Sequence, residues 1–196
     1  MKFGQHKKIL LASGSPRRKE YLERYGFVFR VAASNIDEKM EDGEQPLTYA
    51  MRMATEKAEA VAKSCLPDEV ILAADTIVVL KGRVLGKPAD LSEAIEMLED
   101  LNGRTHEVVT AYAILSPTDN KVVKNYSRTK VLFGRVSPEH IRAYVESEEP
   151  LDKAGSYSVQ NTGTFLVERI EGSYNNVVGL PIEKVIRDLL RHGFIW

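Results

Sequence analysis

A carboxylate inside an apolar stretch constrains this chain more than any other feature of its sequence. Residues 70–74 form a continuous apolar run and 77–80 form a second, with Asp75 and Thr76 between them. A run of this kind predicts a strand buried on both faces. A buried carboxylate is costly unless hydrogen-bond donors, a cation or a metal compensate it. The pattern therefore indicates either an Asp in a satisfied turn or an acid placed for chemistry.

A lysine follows this acid on a loop that proline stiffens. A hairpin turn is predicted at 81–83, and Gly86, Lys87 and Pro88 come directly after it. Thr76 adds a second polar group beside the acid. A buried carboxylate with a lysine nearby suits phosphate and metal chemistry, which favours the second interpretation.

Length and charge bound the class of protein. The 196 residues are 43% hydrophobic, which predicts a single domain over 1–196 with one core or two lobes. The net charge of −1 provides no broad basic field, so neither nucleic acid nor an anionic membrane is expected as a partner. Any phosphate binding must therefore be local.

Cysteine usage and hydropathy predict a cytoplasmic protein. The single cysteine, Cys65, cannot form an internal disulfide, which favours a reducing compartment. No apolar run approaches the ~20 residues of a membrane span. The first residues are too weakly apolar for a signal peptide. The sequence also lacks zinc-like His/Cys spacing, a Walker-type loop and a Gly-x-Ser-x-Gly elbow.

Hydrophobic periodicity and capping residues predict an α/β domain with a mixed sheet, because helices and strands interleave irregularly and hairpins accompany crossovers. The predicted strands are 8–12, 27–31, 70–74 and 77–80, 105–115, 121–133 (one strand or two) and 165–167. The predicted helices are 16–25, 46–64, 91–101, 138–147 and 182–192.

Two arginines occupy the first turn of the first predicted helix, where the helix dipole favours acids. Ser15 is a good N-cap and Pro16 suits the first helical position. A bound anion would reverse the penalty, because backbone N–H groups and the guanidiniums of Arg17 and Arg18 would converge on it. Two solvated surface arginines are the alternative, and the stretch by itself leaves both open.

Three further features allow a structural or a functional interpretation. Lys57 borders the apolar stripe of helix 46–64, so its ammonium either reaches water or points into a cleft. The acidic loop 34–45 is either solvated or supplies a metal ligand, with Glu38 the better candidate. The polar loops 149–163 and 172–176 are either ordered loops without a ligand or contacts for a nucleobase.

Six short motifs lie in one order along nearly the whole chain. They are Ser13-x-Ser15-Pro16-Arg17-Arg18-x-Glu20, Arg52-x-Ala54-x-x-Lys57-Ala58, Ala74-Asp75-Thr76, Gly86-Lys87-Pro88-x-Asp90, Asp152-Lys153-Ala154-Gly155 with Gln160, and Asn176-Val177-Val178-Gly179-Leu180-Pro181. Together they resemble the Maf family. The Asp-Lys-Ala-Gly motif with its glutamine is similar to the dTTP/UTP pyrophosphatase branch of that family.

The resemblance implies an inosine-triphosphatase-like (Maf/Ham1) α/β fold with two lobes around a deep cleft. It implies hydrolysis of dTTP and UTP, or of modified pyrimidine nucleotides, to the monophosphate and pyrophosphate. A divalent metal, Mg²⁺ or Mn²⁺, is the implied cofactor. The alternative kept here is a nucleotide-binding regulator of cell division and septum formation with little hydrolysis. The oligomeric state is left open, with a homodimer among the expected forms.

The resemblance also implies roles for individual residues. It implies Asp75 as the proton acceptor. Asp75 as a metal ligand is the alternative or an additional role, since one carboxylate can serve both, and Glu38 of the acidic loop is the candidate for a second metal ligand. The implied specificity positions are Arg17, Thr76 and Gln160. The implied phosphate-contacting residues are Ser13, Ser15, Arg18, Lys57 and Lys87.

The glutamine generates a first prediction. Gln160 can both donate and accept a hydrogen bond, so it can read the carbonyl and N–H edge of a pyrimidine. We expect Gln160→Ala chiefly to relax base choice, measured as the ratio of turnover with UTP to turnover with GTP. An unchanged ratio would reject the assignment of Gln160 to base recognition.

Overall fold

Seven strands form one mixed sheet in the computed structural model, which describes residues 3–196. They are β1 (Lys8–Leu11), β2 (Phe29–Val31), β3 (Glu69–Leu80), β4 (Arg83–Leu85), β5 (Thr105–Ser116), β6 (Lys121–Phe133) and β7 (Val167–Glu171). The strand order is β2-β1-β3-β5-β6-β7, with β4 paired to β3. β1 runs parallel to β2 and β3, whereas β3–β4 and β6–β7 are antiparallel. The predicted mixed sheet is therefore confirmed.

Residues 3–196 also contain six α-helices: α1 (Pro16–Arg24), α2 (Pro46–Ala60), α3 (Leu91–Leu101), α4 (Pro138–Glu146), α5 (Tyr174–Val178) and α6 (Ile182–Arg191). Proline begins α1, α2 and α4, where its missing N–H is not needed. The Asp90 carboxylate caps α3 by accepting the Glu93 N–H at 2.9 Å. Within residues 3–196 no helix is both long enough and apolar enough to cross a bilayer.

The structure departs from the predicted elements in five places. β4 lies where the sequence predicts only a hairpin turn and the loop after it, because three residues are too few to show an alternating pattern. β3 is continuous, because Asp75 has a cationic partner and does not interrupt the ladder. The strand predicted at 165–167 begins only at Val167, since 3₁₀ turns cover Asn161–Leu166. The α-helical part of 46–64 ends at Ala60, followed by a 3₁₀ turn at Ala62–Ser64. The five residues of α5 were predicted as loop, because so short a helix shows no period.

The chain divides into two compact units. Unit 1 comprises the described residues up to Asp75, with Thr110–Ser127 and Gly179–Trp196; unit 2 comprises Thr76–Val109 and Arg128–Val178. Each unit has its own fully buried apolar side chains, with Ile71 and Met53 in unit 1 and Leu98 and Leu101 in unit 2. A single domain over 1–196, and a cleft between lobes, stay predictions.

An imidazole lies in the core of unit 2. His106 is 2% exposed, and its ring packs edge-on against Phe133 and Tyr157. Its Nε2 lies 2.7 Å from the Tyr157 hydroxyl, whereas Nδ1 has no hydrogen-bond partner within residues 3–196. Burial lowers the pKa of His106 to about 4, so the folded protein keeps this ring neutral.

We therefore expect acid to destabilise the fold through His106. An unfolded histidine binds a proton near pH 6.5, whereas folded His106 does so only near pH 4. The stabilisation from keeping His106 neutral is complete above about pH 6.5. It is lost as the pH falls from 6.5 toward 4, by up to about 1.4 kcal/mol per pH unit. His106→Gln should flatten this slope in urea unfolding between pH 7 and 5. His140→Gln, at an exposed histidine, is the matched control, and equal slopes for wild type and H106Q would contradict the assignment.

Candidate active site

A buried ion pair forms the centre of the site in unit 1. The Lys57 ammonium lies 2.7 Å from Asp75 Oδ1, and the two residues are only 7% and 5% exposed. Asp75 projects from the apolar strand β3. Ala50, Ala54 and Ala58 bury the adjoining face of α2. Lys57 therefore does not extend to water, which removes the structural interpretation left open by its sequence position.

A second carboxylate meets the same ammonium. Glu38 Oε2 lies 2.8 Å from Lys57 Nζ, and the Glu38 side chain is 49% exposed. Two acids from different segments thus share one cation, one of them buried and one open to solvent. Each buried charge therefore has a partner of opposite sign, and the Glu38 carboxylate stays accessible to solvent.

The acidic loop that carries Glu38 is held against α2. The Tyr49 hydroxyl donates to the Glu38 carbonyl at 2.9 Å. Arg52 grips Glu44 with two bonds of 2.8 and 2.7 Å and donates to the Lys39 carbonyl at 2.9 Å. The loop is therefore an ordered support for Glu38 and not simply a solvated segment.

The local electrostatics favour the protonation states in which Tyr49 and Glu44 make these hydrogen bonds. Burial raises the pKa of Tyr49 to about 12, and the negative charges of Asp75 and Glu38 add to the effect. Tyr49 thus stays protonated and able to donate. The hydrogen bonds from Arg52 lower the pKa of Glu44, which favours its ionised form. Sequence reasoning gave Tyr49 no role and named Arg52 only within a motif; the i,i+4 spacing of Arg52 and Glu56 was the available signal.

The turn between β1 and α1 is organised by Ser13. Its hydroxyl oxygen accepts from the Ser15 N–H at 3.3 Å and from Arg18 Nη1 at 3.0 Å. Ser15 has the extended backbone of an N-cap, but within the described chain its side chain makes no capping bond. The first turn of α1 contains no acid, so Arg17 and Arg18 are its charged residues.

The remaining predicted residues lie in unit 2. Thr76 follows Asp75 on β3, and Lys87 is exposed just after β4. The Gly86 carbonyl accepts the Gly155 N–H at 2.9 Å, which ties the Lys87 loop to the 149–163 loop. The Gln160 N–H donates to Ser158 Oγ at 3.0 Å.

Gly155 makes this junction possible. Its φ of +69° is in the left-handed region, and a Cβ there would lie 2.9 Å from a Val78 methyl. The structure thus brings Asp75, Lys57 and Glu38 together directly. The approach of Lys87 and Gln160 to them stays a prediction.

The donor set fits a partial shell for a divalent cation. Within residues 3–196 no group of three or more His, Cys, Asp or Glu side chains could hold a metal. Asp75 and Glu38 nevertheless converge on one ammonium. Mg²⁺ is commonly bound by one or two carboxylates, with substrate phosphate oxygens and water completing the shell. The two acids therefore suit a metal that arrives with a phosphate substrate.

A family model for Maf-like proteins matches residues 8–192. The chain belongs to the Maf-like family. The resemblance seen in the six motifs is thereby confirmed, and the match includes every residue assigned to the site.

Curated relatives of this Maf-like chain carry a shared name. Proteins from Bacillus cereus and Bacillus anthracis, each named dTTP/UTP pyrophosphatase, are 48% identical to it over 183 residues, or 93% of its length. The match covers 89% of the first relative and 94% of the second. A protein of the same name from Bacillus thuringiensis subsp. konkukian is equally similar.

Two solved structures are more distantly similar. The Staphylococcus aureus Ham1 protein is 18% identical with a TM-score of 0.45, covering 65% of the Maf-like chain and 72% of its own. A HAM1 protein from Coxiella burnetii is 17% identical with a TM-score of 0.45, covering 66% and 74%.

The central ion pair generates a stability prediction. Removing one partner of a buried pair leaves an uncompensated charge, so Lys57→Met should lower the free energy of unfolding at pH 7 by about 3–5 kcal/mol. Adding Asp75→Asn to that variant should recover part of the loss. Urea unfolding of both single variants and the double variant gives the coupling. Lys63→Met, at an exposed lysine, should change little; strictly additive effects of K57M and D75N would rule out the coupling.

Proposed function

We propose that this chain is a nucleoside triphosphate pyrophosphatase that hydrolyses dTTP and UTP to the monophosphate and pyrophosphate. The observation that carries the proposal is the cluster of Asp75, Lys57 and Glu38, a buried acid held by a cation beside a solvent-exposed acid. The names of relatives sharing 48% identity along most of the chain support the substrate class.

Asp75 is the proton acceptor in this proposal. Lys57 donates to its Oδ1 at 2.7 Å, which fixes the orientation of the carboxylate. The other carboxylate oxygen can then accept a proton from a water aligned with the α-phosphorus. The water oxygen bonds to the α-phosphorus as the α–β phosphoanhydride bond breaks, and pyrophosphate leaves.

The phosphate chain would be met by donors from several segments. Ser13, Ser15 and Arg17 lie at the start of α1, where backbone N–H groups and the helix dipole favour an anion. Lys57 and Lys87 would add cations that offset the charge of the departing pyrophosphate. Arg18 belongs to the same predicted set of phosphate-contacting residues.

Asp75 and Glu38 are the residues that would hold a divalent cation, Mg²⁺ or Mn²⁺. When bound, such an ion would offset negative charge on the triphosphate oxygens. Lys57 already lies between the two carboxylates, so it would keep them in place when no substrate is present.

Base choice would rest on residues away from the acid cluster. Gln160 can satisfy the carbonyl and N–H groups of a pyrimidine. Thr76 adds a hydroxyl next to Asp75 on the chain, and Arg17 a cationic fork. We place the reaction in the cytoplasm, which the single cysteine supports. A homodimer is the form proposed for test by light scattering.

A nucleotide-binding regulator with little hydrolysis is the weaker candidate. Direct contacts to a triphosphate call for cations and N–H groups, and a buried carboxylate opposes such direct contacts. The position of Asp75 next to Lys57 therefore favours hydrolysis over binding alone.

Asp75→Asn tests the proposal. The amide keeps the shape of the side chain but cannot accept the proton, so turnover should fall by at least about 100-fold. Pyrophosphate release from UTP, dTTP and GTP, with and without Mg²⁺, measures it, and circular dichroism verifies the fold. Asp68→Asn, at an exposed acid before β3, is the control and should retain activity. Turnover retained by D75N would remove Asp75 from the proton transfer.

A further inference from the structure

Arg18 directs its donors to the protein itself. Its Nε donates to the Gly179 carbonyl at 2.9 Å. Its Nη1 donates to Ser13 Oγ at 3.0 Å and to the Ala74 carbonyl at 2.8 Å. All three acceptors lie in unit 1, on three separate segments of the chain. One guanidinium therefore joins the turn after β1, the strand that carries Asp75 and the turn before α6.

The bond from Arg18 to the Ala74 carbonyl replaces a β-sheet hydrogen bond that β1, which ends at Leu11, is too short to make. β1 ends at Leu11, and the last ladder-like bond on this side runs from the Ala12 N–H to the Leu72 carbonyl at 2.8 Å. Carbonyls two residues apart on a strand point the same way, so the Ala74 carbonyl faces the side that the chain leaves at Ser13. Arg18 Nη1 supplies the donor there. It therefore holds β3 in line one residue before Asp75.

These bonds leave Arg18 badly suited to grip a phosphate. Bidentate binding uses two parallel N–H groups, from Nε and Nη2 or from Nη1 and Nη2. Nε and both hydrogens of Nη1 are directed to protein acceptors, so neither edge presents a complete pair. The Arg18 side chain is half-buried, and desolvation lowers the pKa of its guanidinium.

We propose that Arg18 is a positioning residue, which sets the Asp75 carboxylate by bracing β3 against the Ser13 and Gly179 turns, and not a phosphate ligand. The inference rests on the proposed function, in which Asp75 accepts the proton. Arg17, its neighbour in the first turn of α1, keeps the proposed anion-binding role.

Arg18→Lys separates the two roles. A lysine keeps the charge but cannot reach three acceptors in one plane. Misplacement of a reacting group by about 1 Å can cost on the order of 100-fold in rate, so we expect kcat for UTP to fall to that extent with KM within about threefold. Arg24→Lys, on the exposed end of α1, should leave both constants unchanged.

Binding of a non-hydrolysable α,β-imido UTP analogue gives a readout that needs no turnover. A positioning residue predicts that calorimetry finds the same Kd for wild type and R18K, within about threefold. A Kd and a KM that both rise tenfold or more would assign Arg18 to the phosphates and overturn the proposal. A lower Tm with kcat, KM and Kd unchanged would also overturn it, because the brace would then serve stability alone.

Two further arms complete the test. If R18K does not fold, Arg18→Gln is measured in the same way, and failure of both to fold would make Arg18 a determinant of the fold and overturn the proposal. Wild-type turnover is measured first. Its absence rejects the proposed function, whereas the analogue's Kd still decides whether Arg18 touches phosphate.

Discussion

The ion pair between Lys57 and Asp75 is the interaction on which the site depends. Both groups are nearly inaccessible to water, and at 2.7 Å each offsets part of the penalty of burying the other. The pair also explains why β3 runs unbroken through a carboxylate. Glu38 shares the same ammonium from a more exposed position, so the cluster has one buried acid, one cation and one acid open to solvent.

Support around this cluster comes from groups that do not belong to it. Tyr49 and Arg52, both on α2, hold the loop that presents Glu38. Arg18 holds the backbone one residue before Asp75. Each support is a directional hydrogen bond to a backbone carbonyl, which fixes a chain segment more firmly than packing alone. A catalytic carboxylate needs such support, because small displacements are expensive in rate.

Unit 2 holds its polar loop by a different means. Gly155, Ser156 and Asn161 all have positive φ, and two of them are not glycine. Such backbone persists when surrounding contacts enforce it. Here the Tyr144 hydroxyl accepts the Ser158 N–H at 3.2 Å, and Tyr157 is buried against His106. Gln160 therefore stands on a loop whose shape is imposed by the unit 2 core, which suits a residue that distinguishes bases.

Local chemistry in the sequence determined the elements and the family. Proline at the helix starts, the Asp90 cap and the apolar runs act over a turn or a strand, and they located five of the six α-helices and most of the strands. The six motifs, found in one order along the chain, identified the family. The end of 46–64, the strand β4, the 3₁₀ turns before β7 and the short α5 were not predicted, because each spans too few residues to show a full hydrophobic period.

Tertiary structure alone decided the partners of the charged residues. Lys57 could have reached water, and Arg18 could have faced an anion, as far as the residues beside them indicated. Asp75 lies 18 positions from Lys57, and the Ala74 carbonyl lies 56 positions from Arg18. Contacts across such distances are set by how α1, α2, β1 and β3 pack in three dimensions, and no local pattern encodes that packing.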